Sequence, residues 1–241
     1  MGQTILLNGI VLSAMPIGEY DKRLVILTSE RGKVTAFARG ARRPNSSLLA
    51  ATNPFAFGEF ELYEGKSYNV CKISIKNYFR ELTTDVEKAY IGFYFLELAD
   101  YYSVENQEAK DMCNLLYLAL TALKKENFDN RLVRRIFELR MLVLNGEYPN
   151  VFSCMSCGTK EHLHAFHVRS GGVLCRACAA LKGGITLGES TLFTMQYIEA
   201  SPLKELFTFE VKEQVLAELE QIMDDYMNCY VDRHFRSLDL L

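Results

Sequence analysis

Two hydrophobic periods divide this chain. From Thr4 to Lys76 the apolar positions come in short runs broken by turn residues. Ile5-Leu6-Leu7 and Ile10-Val11-Leu12 flank Asn8-Gly9, where a bend or bulge is expected. Leu24-Val25-Ile26-Leu27-Thr28 is rich in β-formers, Ser29-Glu30-Arg31-Gly32 reads as a turn, and Lys33 to Arg39 reads as the hairpin partner. Gly40 to Ser47 is a polar, basic loop. Phe55 to Tyr63 alternates, with Phe55, Phe57, Phe60 and Leu62 interleaved with Gly58, Glu59 and Glu61. Glu64-Gly65-Lys66 then turns the chain into a last run, Tyr68 to Lys76. Five strands in about 75 residues suit a small closed barrel of the OB-fold type, with an SH3-like barrel as the competing architecture.

From Thr84 the period lengthens to that of helices. Thr84-Asp85-Val86-Glu87 has the form of a capping box and opens a helix through Tyr101. Tyr90, Phe93, Tyr94, Phe95, Leu96 and Leu98 cover nearly its whole circumference, so it should be buried. Helices are expected over Glu108–Lys124 and Asp129–Leu144, the latter closed by a left-handed cap at Asn145-Gly146. They resume over Ser190–Ala200, with a short one after Ser201-Pro202 and a last one from a Thr208 cap. There Val211, Val215, Leu219, Ile222, Tyr226 and Tyr230 step by three or four residues. The expected fold class is α+β and multi-domain. A barrel at 1–80 precedes a helical domain at 81–150 and 185–241, which carries an insertion at 151–184.

That insertion holds the sharpest local chemistry. Cys154-Met155-Ser156-Cys157 and Cys175-Arg176-Ala177-Cys178 are two C-x-x-C turns separated by seventeen residues. Each turn points two sulfurs the same way, and a loop of this length lets the pairs converge on one Zn2+. Four thiolates close the coordination sphere, so the site reads as structural. Disulfides fit poorly, because Cys71, Cys113 and Cys229 are scattered and the total of seven is odd. A redox dithiol fits the paired spacing less well than metal does. A deaminase zinc site would want H-x-E, and no histidine here has Glu two residues on. His162, His164 and His167 are therefore read as polar loop residues or neighbours of the ligands.

Composition adds one fact of weight. The net charge of −3 is unevenly spread. Residues 1–80 carry eleven Lys and Arg against six Asp and Glu, whereas 81–150 and 151–241 each carry eight against twelve. A basic module on an acidic body points to a polyanionic partner for the first third. No apolar run is long enough to span a bilayer, and the opening residues lack a basic stretch before an apolar core. No membrane partner and a cytoplasmic location, at the nucleoid, are expected.

Lys22, Arg23, Arg31, Lys33, Arg39, Arg42 and Arg43 make up the basic set, and Phe37, Tyr63, Tyr68 and Tyr78 are candidate stacking platforms for a single strand. Alternation puts half of such aromatics in a core. A second set, Lys124, Lys125, Arg131, Arg134 and Arg135, reads first as a solvated face with pairs such as Arg134–Glu138. No nucleophile–base motif, phosphate-binding loop or dinucleotide fingerprint is present, so no catalytic residue is assigned and a non-enzymatic role is expected.

The order of parts resembles the bacterial DNA repair protein RecO family, the recombination mediators. The local matches are Gly18-Glu19-Tyr20-Asp21, the stretch from Gly32 through Arg42-Arg43, the cysteines from Cys154 to Cys178, and Arg236-Ser237-Leu238 near the end. The resemblance implies binding of single- and double-stranded DNA and annealing of complementary strands. It also implies contact with RecR and with the C-terminal tail of single-strand-binding protein, so that a recombinase is loaded on coated gaps. By position, Lys33, Arg39, Arg42 and Arg43 would meet phosphates, followed by Lys22, Arg23 and Arg31. Two other readings compete: a zinc-containing protein–protein adaptor that binds no nucleic acid, and a zinc-dependent hydrolase or nuclease, against which the closed cysteine set argues.

Overall fold

In the computed structural model, which describes residues 2–240, the alternation of the first third becomes a ring of strand pairings. The strands are β1 (Gln3–Ile17), β2 (Asp21–Thr28), β3 (Gly32–Ala38), β4 (Phe57–Glu64) and β5 (Tyr68–Asn77), with the short helix α1 (Leu48–Ala51) before β4. β1 pairs antiparallel with both β2 and β4, β2 with β3, and β4 with β5. The remaining seam is parallel and short: Ala36 faces Tyr68 and Phe37 faces Asn69. Along β3 the alternation is strict, with Val34, Ala36 and Ala38 buried and Lys33, Thr35 and Phe37 half-buried. Those inward positions join Leu7, Val11, Leu24, Ile26, Phe60 and Leu62 in one core. Burying a side chain such as Phe60 or Leu62 contributes about 1.5–3 kcal/mol.

The expected break at Asn8-Gly9 does not occur. β1 is one continuous strand of 15 residues, and its irregularity lies between Val11 and Ser13. Gly9 is needed for another reason: a Cβ there would run into the backbone carbonyl of Leu27.

The helices are α2 (Val86–Tyr102), α3 (Lys110–Leu123), α4 (Asn130–Asn145), α5 (Arg176–Lys182), α6 (Glu189–Ala200) and α7 (Glu213–Tyr230). A small sheet of β6 (Leu163–His167), β7 (Gly172–Cys175) and β8 (Ile185–Thr186) is ordered β7-β6-β8. α2 starts one residue later than a Thr84 cap would place it. Asp85 is the cap, its carboxylate accepting the Lys88 N–H at 3.1 Å, because Thr84 ends a preceding 3-10 turn. The last helix does not begin at Thr208, whose hydroxyl donates to the Glu205 carbonyl at 2.7 Å; it begins at Glu213. α4 ends as expected, at Gly146 with φ 75°.

By compactness the described chain forms two units. One runs to Lys124 and takes in the chain again from Phe235; the other is Lys125–His234. The first unit therefore holds α2 and α3 as well as the strands, and extends past the expected edge at residue 80. α2 buries Ile91, Tyr94, Phe95 and Leu98. The end of the chain docks on it: Phe235 meets the Tyr94 ring edge-on at 5.2 Å, and the Ser237 hydroxyl donates to Glu97 Oε2 at 2.8 Å. No helix among the described residues is long and apolar enough to cross a membrane.

In the second unit α4, α6 and α7 pack pairwise. Glu199 of α6 lies at 7% exposure, and neither carboxylate oxygen has a hydrogen-bond partner among the described residues. The Arg140 guanidinium donates instead to the backbone carbonyls of Ile198 and Glu199. Burial pushes the Glu199 carboxyl up to about 8, with Arg140 pulling the other way. Its folded-state value thus lies above its ordinary 4.5, so folding favours the protonated form and stability is lost as pH rises from 4.5 toward 8. Glu199→Gln should raise the Tm at pH 8 and change it little at pH 5, as read by thermal melts at both values.

Candidate nucleic-acid interface and metal centre

Two stretches of sequence, about twenty residues apart, form one surface on the first unit. The turn between β1 and β2 carries Gly18-Glu19-Tyr20, and the loop after β3 carries Arg39 to Arg43. Asp21 Oδ1 accepts the Gly40 N–H at 2.7 Å, and the Tyr20 carbonyl accepts the Arg42 N–H at 2.8 Å. The Arg42 guanidinium donates to the Gly18 and Glu19 carbonyls at 3.3 and 3.2 Å. Arg43 lies over the Tyr20 ring, 5.4 Å from its centroid. The loop is therefore held by charge-assisted hydrogen bonds and keeps exposed guanidinium groups at one rim of the ring.

The seven basic residues separate by what they touch. Arg23, Arg39, Arg42 and Arg43 are exposed. Lys22 turns inward, its Nζ donating to Thr52 Oγ1 at 3.1 Å and Asn53 Oδ1 at 2.8 Å. Burial and the Arg42 charge hold its amine below the ordinary lysine range. Lys33 pairs with Asp100 at 3.1 Å and also donates to the Asp100 carbonyl. Arg31 reaches Glu64 at 3.5 Å. Three of the seven thus spend charge within the unit.

The register then lines up an outward row across four strands. Met15 pairs with Arg23, Arg23 with Phe37, and Phe37 with Asn69. Met15 is exposed and Phe37 half-buried. Beside Phe37 a groove of about 320 Å³ opens between Thr35, the Gly65–Ser67 turn, Tyr68 and Asn106. Of the other candidate platforms, Tyr68 and Tyr78 pack on the core and Tyr63 is exposed. Tyr20, 41% exposed under Arg43, was not among the expected platforms, although it lies in the Gly18–Asp21 match.

Four of the five residues of the second basic set are paired with acids, as its pairing reading implies. In the first unit Lys124 pairs with Glu81 at 2.7 Å. In the second, Arg131 bridges Asp129 and Glu213 at 3.0 and 2.8 Å. The fully buried Glu138 takes Arg134 and Arg135 at 2.9 Å each, and Arg135 continues to Asp224 at 2.7 Å. Lys125 donates to the Phe207 carbonyl at 3.2 Å.

The metal ligands converge. The Sγ atoms of Cys154, Cys157, Cys175 and Cys178 all lie within 4.8 Å of one another, and Cys157 and Cys175 are 3.7 Å apart. A tetrahedron with metal–sulfur bonds of about 2.3 Å has an edge of about 3.8 Å, so the group can hold a metal ion and is consistent with zinc. The first turn is shaped by Gly158, at φ 76°, whose N–H returns to the Cys154 carbonyl at 2.9 Å. The second straddles the end of β7 and the start of α5. Burial pushes the Cys154 thiol up, but N–H donors from Cys175, Cys157 and Ser156 outweigh it and bring it to about 6. Ser156 lowers the Cys178 thiol, yet its three cysteine neighbours, together with burial, push it up to about 12. His167 stays outside the cluster, its Nδ1 accepting the Ser170 N–H at 3.1 Å.

Comparison with known families settles the grouping. A family model described as Recombination protein O N terminal matches residues 1–79, and one described as Recombination protein O C terminal matches 83–239. This chain belongs to the RecO family. A DNA repair protein RecO from Alkaliphilus metalliredigens is 33% identical over 237 residues, covering 97% of this chain and 96% of that protein. Another from Acetivibrio thermocellus is 32% identical, covering 97% and 94%. Membership of RecO places the chain in DNA repair and recombination, in line with the resemblance carried by its motifs. Two stretches of that resemblance now have a structural reason: the Gly18–Asp21 turn clips the arginine loop, and Ser237 ties the chain's end to α2.

The cysteine cluster supplies a test. Metal binding to such a loop is also folding free energy, so if the cluster holds zinc, Cys154→Ser should lower the zinc content and the Tm of the intact protein. Chelation of the parent protein should produce the same loss, and a variant that melts like the parent would make the cluster dispensable for stability.

Proposed function

We propose that this protein is a recombination mediator that binds single- and double-stranded DNA and anneals complementary strands without covalent chemistry. In this reading the ring of strands at 1–80 is an OB-fold barrel, and the rim formed by Arg23, Arg39, Arg42 and Arg43 is its phosphate contact. The observation that carries it is the clip between the β1–β2 turn and the loop after β3. It holds the exposed Arg42 and Arg43 beside Tyr20, while Arg23 lies across from the half-buried Phe37, the combination of positive charge and aromatic surface that single strands use. Lys22, Arg31 and Lys33 set the shape of this surface and meet phosphates only if they leave their present partners.

The helical segments 81–150 and 185–241 and the module 151–184 complete the assignment, with a structural Zn2+ on Cys154, Cys157, Cys175 and Cys178. Closed four-sulfur coordination leaves no position for substrate, which favours a scaffold over a hydrolase. The partners in this reading are RecR and the C-terminal tail of single-strand-binding protein, met in the cytoplasm on gapped, protein-coated DNA.

Annealing of two labelled complementary oligonucleotides tests the proposal directly. Acceleration without ATP is expected. Arg42→Ala with Arg43→Ala should weaken binding and reduce the slope of log K against log salt by about one unit for each phosphate no longer neutralised. No acceleration, together with tight binding to single-strand-binding protein, would instead assign an adaptor role.

A further inference from the structure

The second unit contains a lobe of opposite charge to its surroundings. Residues 151–184 carry Lys160, Arg169, Arg176 and Lys182 against the lone acid Glu161. The rest of that unit, 125–150 and 185–234, carries eight Lys and Arg against fourteen Asp and Glu. All four cations of the lobe are exposed, and none stands in an ion pair among the described residues, unlike the arginines of α4. Their positions are fixed by the small sheet. The Cys154 N–H donates to the Thr159 carbonyl at 2.8 Å, setting Lys160 beside the first cysteine turn. The Arg176 N–H donates to the His162 carbonyl at 3.0 Å, bringing Arg176 to the same end. Arg169 sits in the turn between β6 and β7, and Lys182 ends α5. Phe152 and Met155 are exposed on the same lobe, at 44% and 43%.

We infer that this metal-binding lobe is a second nucleic-acid contact, which takes the phosphate backbone of a single strand on Lys160, Arg169, Arg176 and Lys182, with Phe152 offering a stacking face. The inference rests on the annealing reading and gives it a second strand site, on a different compact unit from the arginine rim. Zinc with four thiolates would carry two negative charges, which Arg176, next to Cys175 in the chain, and Lys160, beside the first cysteine turn, would help to offset. Arg169 and Lys182 lie at the other ends of the hairpin and helix, and the lobe keeps a net positive charge within a negative unit. Cations set along a lobe match a repeating anion, and an exposed aromatic ring among them suits an unpaired base.

The test uses the full chain with Lys160, Arg169, Arg176 and Lys182 all changed to Gln, after zinc content and Tm are matched to the parent. Titration with short oligothymidylate is expected to fall from two strands bound per chain to one. The salt slope of binding should drop by about three, near 0.7 for each phosphate released from a cation. Annealing should slow, while the remaining strand still binds through the rim. A variant with parent stoichiometry and slope overturns the inference while leaving the rim reading intact. The converse, in which Arg42→Ala with Arg43→Ala changes nothing and the lobe variant alone fails to bind DNA, would remove the rim and leave the lobe. Weaker binding of an oligoglutamate peptide with an unchanged DNA slope would assign the lobe to an acidic protein and overturn the inference.

Discussion

The antiparallel register of β2 against β3 is the constraint from which most of the basic surface follows. Seven pairs, from Lys22 with Ala38 to Thr28 with Gly32, decide which side chains enter the core. With this register Leu24, Ile26, Val34 and Ala36 point inward, and Arg23 and Phe37 fall side by side on the outer face. A slip of one residue would exchange the two faces, burying Arg23 and Phe37's neighbours and expelling the core. The same register delivers Asp21 and Gly40 to within one hydrogen bond of each other, so the arginine loop is shaped by a strand pairing it does not belong to.

Charge in this protein is sorted by whether an acid is within reach. Arg134 and Arg135 of α4 are locked by Glu138 and Asp224, and their role is cohesion between α4 and α7. Removing one partner of such a buried set costs far more than removing an exposed pair, because a charge is left without solvent or counter-ion. The arginines of the rim and the cations of the metal lobe have been left with water on one side, where a polyanion can replace it. Among the described residues around the cysteine cluster, only Leu174 is fully buried beside Cys154 and Cys175, with Leu163, Cys178 and Ala179 packed against them, so the turns and the seven-residue helix α5 rest on a small core.

Much of this was legible in the sequence where the signal is local. The hairpin of β2 and β3, the left-handed cap at Gly146 and the two cysteine turns each depend on residues within a few positions. What stayed hidden depends on distant partners. Nothing near Lys33 announces Asp100, 67 residues on, or near Lys22 the acceptors at Thr52 and Asn53. The capping signals at Thr84 and Thr208 misled because each hydroxyl satisfies a carbonyl three residues back. Tyr20 went unrecognised as a platform because its value lies in Arg43 above it, an arrangement made only when two loops meet. The first unit's reach to Lys124 was equally illegible, since packing of α2 and α3 with the strands leaves no mark at the period change.

The return of the chain's end to the first unit also orders events in time. Phe235 and Ser237 complete the packing around Tyr94 and Glu97, so the first unit lacks its last pieces until Lys125–His234 has been made. The intervening unit, Lys125–His234, has all of its own residues in hand before then. Domains generally fold as they emerge, N-terminal first. Here the order of synthesis and the order of completion run in opposite directions, and the ring of strands waits, unfinished at its helical side, for the lobe-bearing unit to be made.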